Sequence, residues 1–482
     1  MSEVTLKDKT SKGMFWGGAS SFIKQLLNLF FGLFLARLLS PSDYGLVGML
    51  AVFSTLGMAI PDSGFSAALI NRKRIEYDDY NAVFWFNIGL ATGFYVILFF
   101  CAPWIARFFH APELIALSRF YFFGFVIASL GIAPSALLSK QLKIKEKALS
   151  MIIALIVSGV IGLYLAYEGY GYWVLVIQSL TWAAVMDICL FAFSGWHPSF
   201  TLNFKPIKEM WGFSIKLLIT RVIEIVNYHF YSVVFGRLYS EKEVGYYSQA
   251  NKWSDLGSST IKDMVISVAQ PVMVEIENDE ERQLRAFRKM VRFVSFISFP
   301  SLFGLAFVAP EFITVALTDK WAESAQMLSI LCIYGAFCPL NTLFGNMIVS
   351  KGWSSVYMWV NIGLFVALFL TMMLTVSLGI IWMIVIYTVV NILWTFVWLS
   401  QVHRIINYSF KSFLEDIIPY IAISLILIVG TYFITRGISN IYLLFISKIV
   451  IVAASYFLIM WLSGSVTFKE SVGFFKQKLL KR

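Results

Sequence analysis

The sequence predicts an all-α, polytopic membrane protein: about 14 transmembrane helices, in two pseudo-symmetric six-helix lobes followed by a C-terminal helix pair. Three observations carry this expectation. Only 14% of the 482 residues are charged and 59% are hydrophobic, whereas soluble domains hold roughly 25% and 45–50%. Charge-free runs recur at Tyr80–Ala106, Phe120–Ser139, Ala148–Tyr167, Phe293–Pro310, Ser324–Ser350 and Ile417–Thr435. Each is about as long as the roughly 17–25 residues needed to cross ~30 Å of hydrocarbon. Finally, a short motif recurs at an offset of 200 residues. Lipid offers backbone polar groups no partner, and the runs are continuous rather than alternating, so they read as helices and not as barrel strands.

Taken in order, the first half holds spans near 12–37, 43–70, 80–106, 114–138, 147–167 and 171–194. The second holds 210–236, 243–271, 290–310, 325–350, 354–376 and 379–402, with a turn near Ser377-Leu378-Gly379 dividing the last two. The pair 416–435 and 441–463 completes the chain. The first ten residues are polar, and the apolar run after them lacks a small-residue cleavage site, so no cleavable signal peptide is expected. An even number of spans puts both termini on one side. With that side cytoplasmic, the inner segments and the span ends beside them carry 25 Lys and Arg and the outer loops with theirs 7, the other 6 of the 38 lying deeper inside spans. The positive-inside rule therefore supports a multi-pass protein with cytoplasmic termini. The net charge of +10 belongs to that inner face, where anionic lipid headgroups attract it; nucleic acid is not an expected partner.

Residues 37–45 read RLLSPSDYG and residues 237–245 read RLYSEKEVG. Arg37, Leu38, Ser40 and Gly45 recur as Arg237, Leu238, Ser240 and Gly245, and Leu56-Gly57 as Leu256-Gly257. Both copies fall between the first two spans of a half. This divides the chain into an N-terminal lobe (1–200), a C-terminal lobe (201–410) and the helix pair with its basic tail (411–482). Six spans per half keep both halves in one orientation, the parallel-repeat plan of a rocking transporter with its site near the midplane. The repeat also marks 243–271 as a span, although it holds Gln249, Asn251, Lys252, Asp255, Lys262 and Asp263. Such a helix crosses only if its polar face meets water or protein, so it is expected to line a cavity.

Charges within spans each require a reason, since one at a helix centre costs roughly 2.5–3.5 kcal/mol. Ser20, Lys24 and Asn28 form a stripe on the first span, and Thr220, Glu224 and Tyr228 occupy its positions in the seventh. Arg221 lies one turn from Glu224. Pro61-Asp62 interrupts the second span, and the repeat partner of Asp62 is Lys262. Two readings stay open: static buried pairs, or groups lining a hydrated passage, with Lys24, Arg221 and Glu224 as binding site and Asp62 and Lys262 as gate. Lys216 and Lys448 read as snorkelling lysines. Asp187 has no partner evident in the sequence, and His229 is a candidate proton-coupling group. Tyr228, Tyr231, Tyr246, Tyr247 and Trp253 suit either packing or stacking on sugar rings. Cys101, Cys189, Cys332 and Cys338 show no disulfide or metal spacing and read as small hydrophobes. No cofactor motif is present.

The segment ARLLSPSDYG at 36–45, after a polar-striped first span and before LVGM, resembles the signature of the Wzx-type polysaccharide flippases. These belong to the multidrug/oligosaccharidyl-lipid/polysaccharide exporter superfamily. The resemblance implies alternating-access movement of an undecaprenyl-pyrophosphate-linked oligosaccharide to the periplasmic leaflet, for surface polysaccharide such as lipopolysaccharide. Other polysaccharide-assembly membrane proteins are its implied partners. Pyrophosphate suits the guanidinium of Arg221 and the ammonium groups of Lys24 and Lys252. Asn28, Gln249 and Asn251 suit sugar hydroxyls, with Glu224 and Asp255 in the same lining. Five cations against four anions in these helices give no case for an acidic glycan. The rival within the superfamily is a drug exporter coupled to H+ or Na+ through Asp62, Glu224 or Asp255. A polyprenyl-dependent glycosyltransferase or polymerase would place catalytic groups on a sizeable outer loop; the longest here is about a dozen residues, so no enzyme is expected.

Overall fold

The computed structural model describes residues 3–62, 69, 75–200, 205–276, 279–464 and 468–469. Helix predominates in each of the fourteen predicted segments over these residues, broken within 43–70, 114–138 and 325–350, and the described residues contain no strand. By their contacts the chain separates into two compact units, Met1–Gly245 and Tyr246–Arg482.

The first unit begins with α1 (Glu3–Leu38), α2 (Pro41–Met49) and α3 (Ala51–Asp62). It continues with α4 (Tyr77–Phe109), α5 (Leu114–Leu130), α6 (Ile132–Lys140), α7 (Ile144–Tyr167), α8 (Trp173–Ser194) and α9 (Lys205–Leu238). Residues 22–38 of α1 and the whole of α2 meet at 117°. Small residues set the packing of α7: Ala154, Ser158, Gly162 and Ala166 recur every fourth position and are buried or nearly so. α1 and α8 flank this helix, with the Phe31 ring against Gly159 and the Gln178 side chain against Gly162. Close approach of this kind replaces a hydrophobic driving force between helices in lipid. A second cluster joins α4 to the connector after α8, where Phe84 and Trp196 lie edge to face at 5.2 Å. Trp85 Nε1 donates to Ser199 O at 2.7 Å, and Ser199 N donates to Asn81 Oδ1 at 2.9 Å. α9 packs along α3 and α4, so the seventh predicted span joins the first unit by contact although the sequence repeat begins the second half with it.

The second unit holds α10 (Glu241–Glu275), apart from its first turn, then α11 (Glu280–Leu317), α12 (Ala322–Gly335) and α13 (Cys338–Ser350). It ends with α14 (Ser354–Thr375), α15 (Ile380–Ile406), α16 (Phe410–Thr435) and α17 (Ile441–Leu462). α10 is one continuous helix despite its polarity. α11 is the hub, packing against α12, α16 and α17, with Phe287, Phe299 and Phe344 fully buried around it. Among the described residues, ten helices, α5–α6 and α12–α13 each taken as one, are long and apolar enough to cross a membrane, eleven if the bent α1–α2 pair is one more. α9 and α10 fall outside that group because they carry the polar residues of the candidate site.

Candidate functional site

Both copies of the repeated motif are helix starts. Ser40 N donates to Asp43 Oδ2 at 2.8 Å and Asp43 N to Ser40 Oγ at 3.2 Å, a capping box that opens α2. Ser240 and Glu243 repeat it at the start of α10, at 3.0 and 3.4 Å. The recurring glycine has a separate reason. A Cβ on Gly45 would collide with the Glu241 carbonyl, and one on Gly245 with the Pro41 carbonyl. The first turns of α2 and α10 thus cross backbone against backbone.

Lys24 is exposed on α1 and Asn28, one turn on, is half-buried. On α9, Arg221 Nη1 pairs with Glu224 Oε2 at 3.1 Å, as their spacing predicts, and the guanidinium keeps 64% of its side chain exposed. Two turns further, the Thr55 hydroxyl of α3 lies 3.0 Å from His229 Nε2. The side chains of Asp62, Lys216 and Thr220 lie outside the described residues.

On α10, Gln249 is 1% exposed and neither polar atom of its amide has a hydrogen-bond partner among the described residues. Asn251 is half-buried, and Lys252 is exposed beside the Trp253 ring. Lys262 Nζ donates to Asp255 Oδ1 at 2.6 Å. Candidate gate and candidate lining residue are thus partners, seven positions and two turns apart. Tyr231, Tyr246, Tyr247 and Trp253 are buried, whereas Tyr228 is exposed and meets the His229 ring edge to face at 4.8 Å. No cluster of three or more His, Cys, Asp or Glu able to hold a metal occurs among the described residues.

Lys448 departs from the snorkelling expectation. It is buried, and its Nζ meets Glu311 Oε1 of α11 at 2.6 Å. The stem therefore runs inward to a carboxylate rather than outward to headgroups. A second cluster that sequence reasoning missed surrounds Asp416 on α16. Arg288 donates to both of its oxygens at 2.9 and 3.0 Å, Arg292 donates at 2.6 Å, and Tyr408 Oη donates at 3.0 Å. Burial and the adjacent Asp416 push the Tyr408 hydroxyl well up, so it stays a donor. The available signal was the run of arginines at i, i+3 and i+7 in 285–292; Arg285 pairs with Glu281 on its own helix, but the Asp416 partner of Arg288 and Arg292 lies more than 120 residues away.

A family model described as "Polysaccharide biosynthesis protein" matches residues 34–326. An "Uncharacterized membrane protein in cps region" of Klebsiella pneumoniae is 25% identical over 496 residues, covering 99% of this chain and 100% of its own. The "Succinoglycan biosynthesis transport protein ExoT" of Rhizobium meliloti is 26% identical over 327 residues, 67% of this chain and 66% of its own. The solved structure "Lipid II flippase MurJ, inward closed conformation" superposes with a TM-score of 0.76 at 15% identity, over 95% of this chain and 100% of that one. That likeness shows a common fold.

Proposed function

Since the chain belongs to the family of polysaccharide biosynthesis proteins, we propose that it is a transporter that flips a polyprenyl-pyrophosphate-linked oligosaccharide. It is not an enzyme. Transport runs from the cytoplasmic to the periplasmic leaflet of the bacterial inner membrane, by alternating access, in the assembly of a surface polysaccharide. Both termini are cytoplasmic, and the basic inner face rests on anionic lipid. Other membrane proteins of polysaccharide assembly are its natural partners.

One observation carries the reading: Lys24, Arg221 and Lys252 keep exposed side chains on helices of a membrane protein. An exposed cation at that depth needs water or an anion beside it. A pyrophosphate headgroup is such an anion, while its polyprenyl tail stays in lipid. Asn28, Gln249 and Asn251 then meet sugar hydroxyls, and the buried, unbonded Gln249 amide is an acceptor and donor in want of them. The lobes of this reading are 1–200 and 201–410, with 411–482 appended, and Asp62 and Lys262 form its gate. The rival reading, a drug exporter coupled to H+ or Na+, needs a free carboxylate near the midplane. Of the carboxylates named for that role, Glu224 is engaged by Arg221 and Asp255 by Lys262, while the side chain of Asp62 lies outside the described residues.

The test is leaflet-resolved glycolipid in cells. A deletion strain is expected to accumulate polyprenyl-linked glycan on the inner leaflet. Arg221→Ala and Lys24→Ala, at normal protein levels, are expected to slow crossing at least tenfold. Normal crossing in the deletion strain overturns the flippase reading. Normal crossing in both alleles overturns the site alone.

A further inference from the structure

Of the 22 residues of α17, only Lys448, Tyr456 and Met460 are buried. Two of these fasten the helix to α11. Tyr456 Oη donates to Phe296 O at 2.8 Å near the inner end, and Lys448 pairs with Glu311 towards the outer one. Between the two fastenings the helices part around a cavity of about 400 Å³, lined in its middle by Ser301 and Gly304 of α11 and by Val452 and Ala453 of α17. A Cβ added at Gly304 would meet nothing within 4 Å. Lys448, already taken up by Glu311, is the one charged residue of this lining among those described. Phe296 and Val308 both belong to the lining, and α11 rises about 18 Å between them at 1.5 Å per residue. That is about half of the ~30 Å hydrocarbon core, the depth of one leaflet.

The inner mouth of this groove is cationic. Arg285, Lys289 and Arg292 stand at i, i+4 and i+7 before Phe296 at i+11, on one face of α11, and all three are exposed. Arg285 is paired with Glu281. Arg292 gives its Nε to Asp416 yet keeps 45% of its side chain exposed. Phe468, beyond α17, packs on Phe296 and on Phe457 at 6.3 and 6.2 Å between ring centres. This brings the exposed Lys469 to the same end.

An apolar slot one leaflet deep, headed by cations, complements a lipid whose chain lies in the slot and whose phosphate sits at the mouth. A zwitterionic headgroup brings its own cation, so several protein cations favour an anionic one. We propose that the groove between α11 and α17 binds an anionic phospholipid of the cytoplasmic leaflet, with an acyl chain along Gly304 and the phosphate at Lys289, Arg292 and Lys469. The chain fills the space that α17 leaves open against α11. This site rests on the cytoplasmic placement of the start of α11 and not on transport.

Binding is measured without flipping, so the lipid site and the flippase reading can fail separately. The full chain, purified in mild detergent, is titrated with phosphatidylglycerol or phosphatidylcholine and read by native mass spectrometry. Wild type is expected to retain phosphatidylglycerol about tenfold more tightly than phosphatidylcholine. Lys289→Gln combined with Lys469→Gln is expected to erase most of that preference. Gly304→Leu fills the groove and is expected to weaken phosphatidylglycerol binding about tenfold, whereas Gly93→Leu, in equally open space on α4, leaves it unchanged. Both lysines are exposed, so their variant carries the test should Gly304→Leu fail to fold. Equal retention of the two lipids by wild type overturns the site and leaves annular lipid only. So does phosphatidylglycerol binding indifferent to the lysine variant. Displacement of phosphatidylglycerol by equimolar undecaprenyl phosphate assigns the groove to a polyprenyl chain and overturns the proposal as well.

Discussion

Lys448 and Glu311 share a bond of 2.6 Å with side chains only 9% and 10% exposed, and the Lys448 ammonium also sits 4.3 Å from the centre of the Phe307 ring. A buried pair of this kind contributes little net stability against an apolar pair of equal volume, but removing one partner strands the other. Lys448→Met is therefore expected to destabilise the protein by about 3–5 kcal/mol, and Glu311→Leu by a similar amount. The double variant should recover most of the loss, because neither charge is left alone. Thermal unfolding of the purified protein in detergent checks this, and equal melting temperatures for wild type and both single variants would falsify it. Arg221 and Glu224 contrast with this pair. Their guanidinium is largely exposed, so the pair itself stabilises little.

At the scale of elements, the repeated motif does two jobs. Its serine and acidic residue start a helix, and its glycine lets that helix be crossed. Gly45→Ala places a Cβ inside the Glu241 carbonyl, and Gly245→Ala places one inside the Pro41 carbonyl. Both obstacles are backbone, which cannot swing aside as a side chain does. Each substitution is expected to cut the yield of folded protein several-fold. Gly93→Ala, on the same chain with open space around it, is expected to leave yield unchanged. Gel-filtration profiles of detergent extracts read the difference. Ser40→Ala and Ser240→Ala remove only a cap and should cost about 1 kcal/mol each, well short of the glycine effect.

For the whole molecule, orientation is the property that charge determines. Of 38 Lys and Arg, 25 fall on the segments read as cytoplasmic and the span ends beside them, and 7 on the outer loops with theirs. A bias this strong outweighs shifts of a residue or two in helix ends. Alkaline phosphatase fused after Glu113, between α4 and α5, is expected to be active, and fused after Lys143, between α6 and α7, inactive. The reverse pattern would invert the membrane orientation, and with it the direction of transport. The flipping assay operates at this scale too, since it reads the intact chain.

The sequence by itself determined that the chain is helical, that it lies in a membrane, and where its helices fall. These follow from hydropathy and length, which are local quantities summed along the chain. It also determined the repeat, and from it the helical state of 243–271, which hydropathy alone would have passed over. The Arg221–Glu224 pair was legible because its partners are one turn apart on one helix. Only the tertiary structure decided the rest. Lys262 was matched to Asp62 by repeat position alone, and its bond to Asp255, two turns back on the same helix, came from the structure. Lys448 was read as pointing outward, yet it turns to Glu311 at a separation of 137 residues. In each case the charge seeks whatever opposite charge or donor packing brings within about 3 Å in low dielectric. Packing is a property of the whole fold and leaves no periodic trace in the sequence.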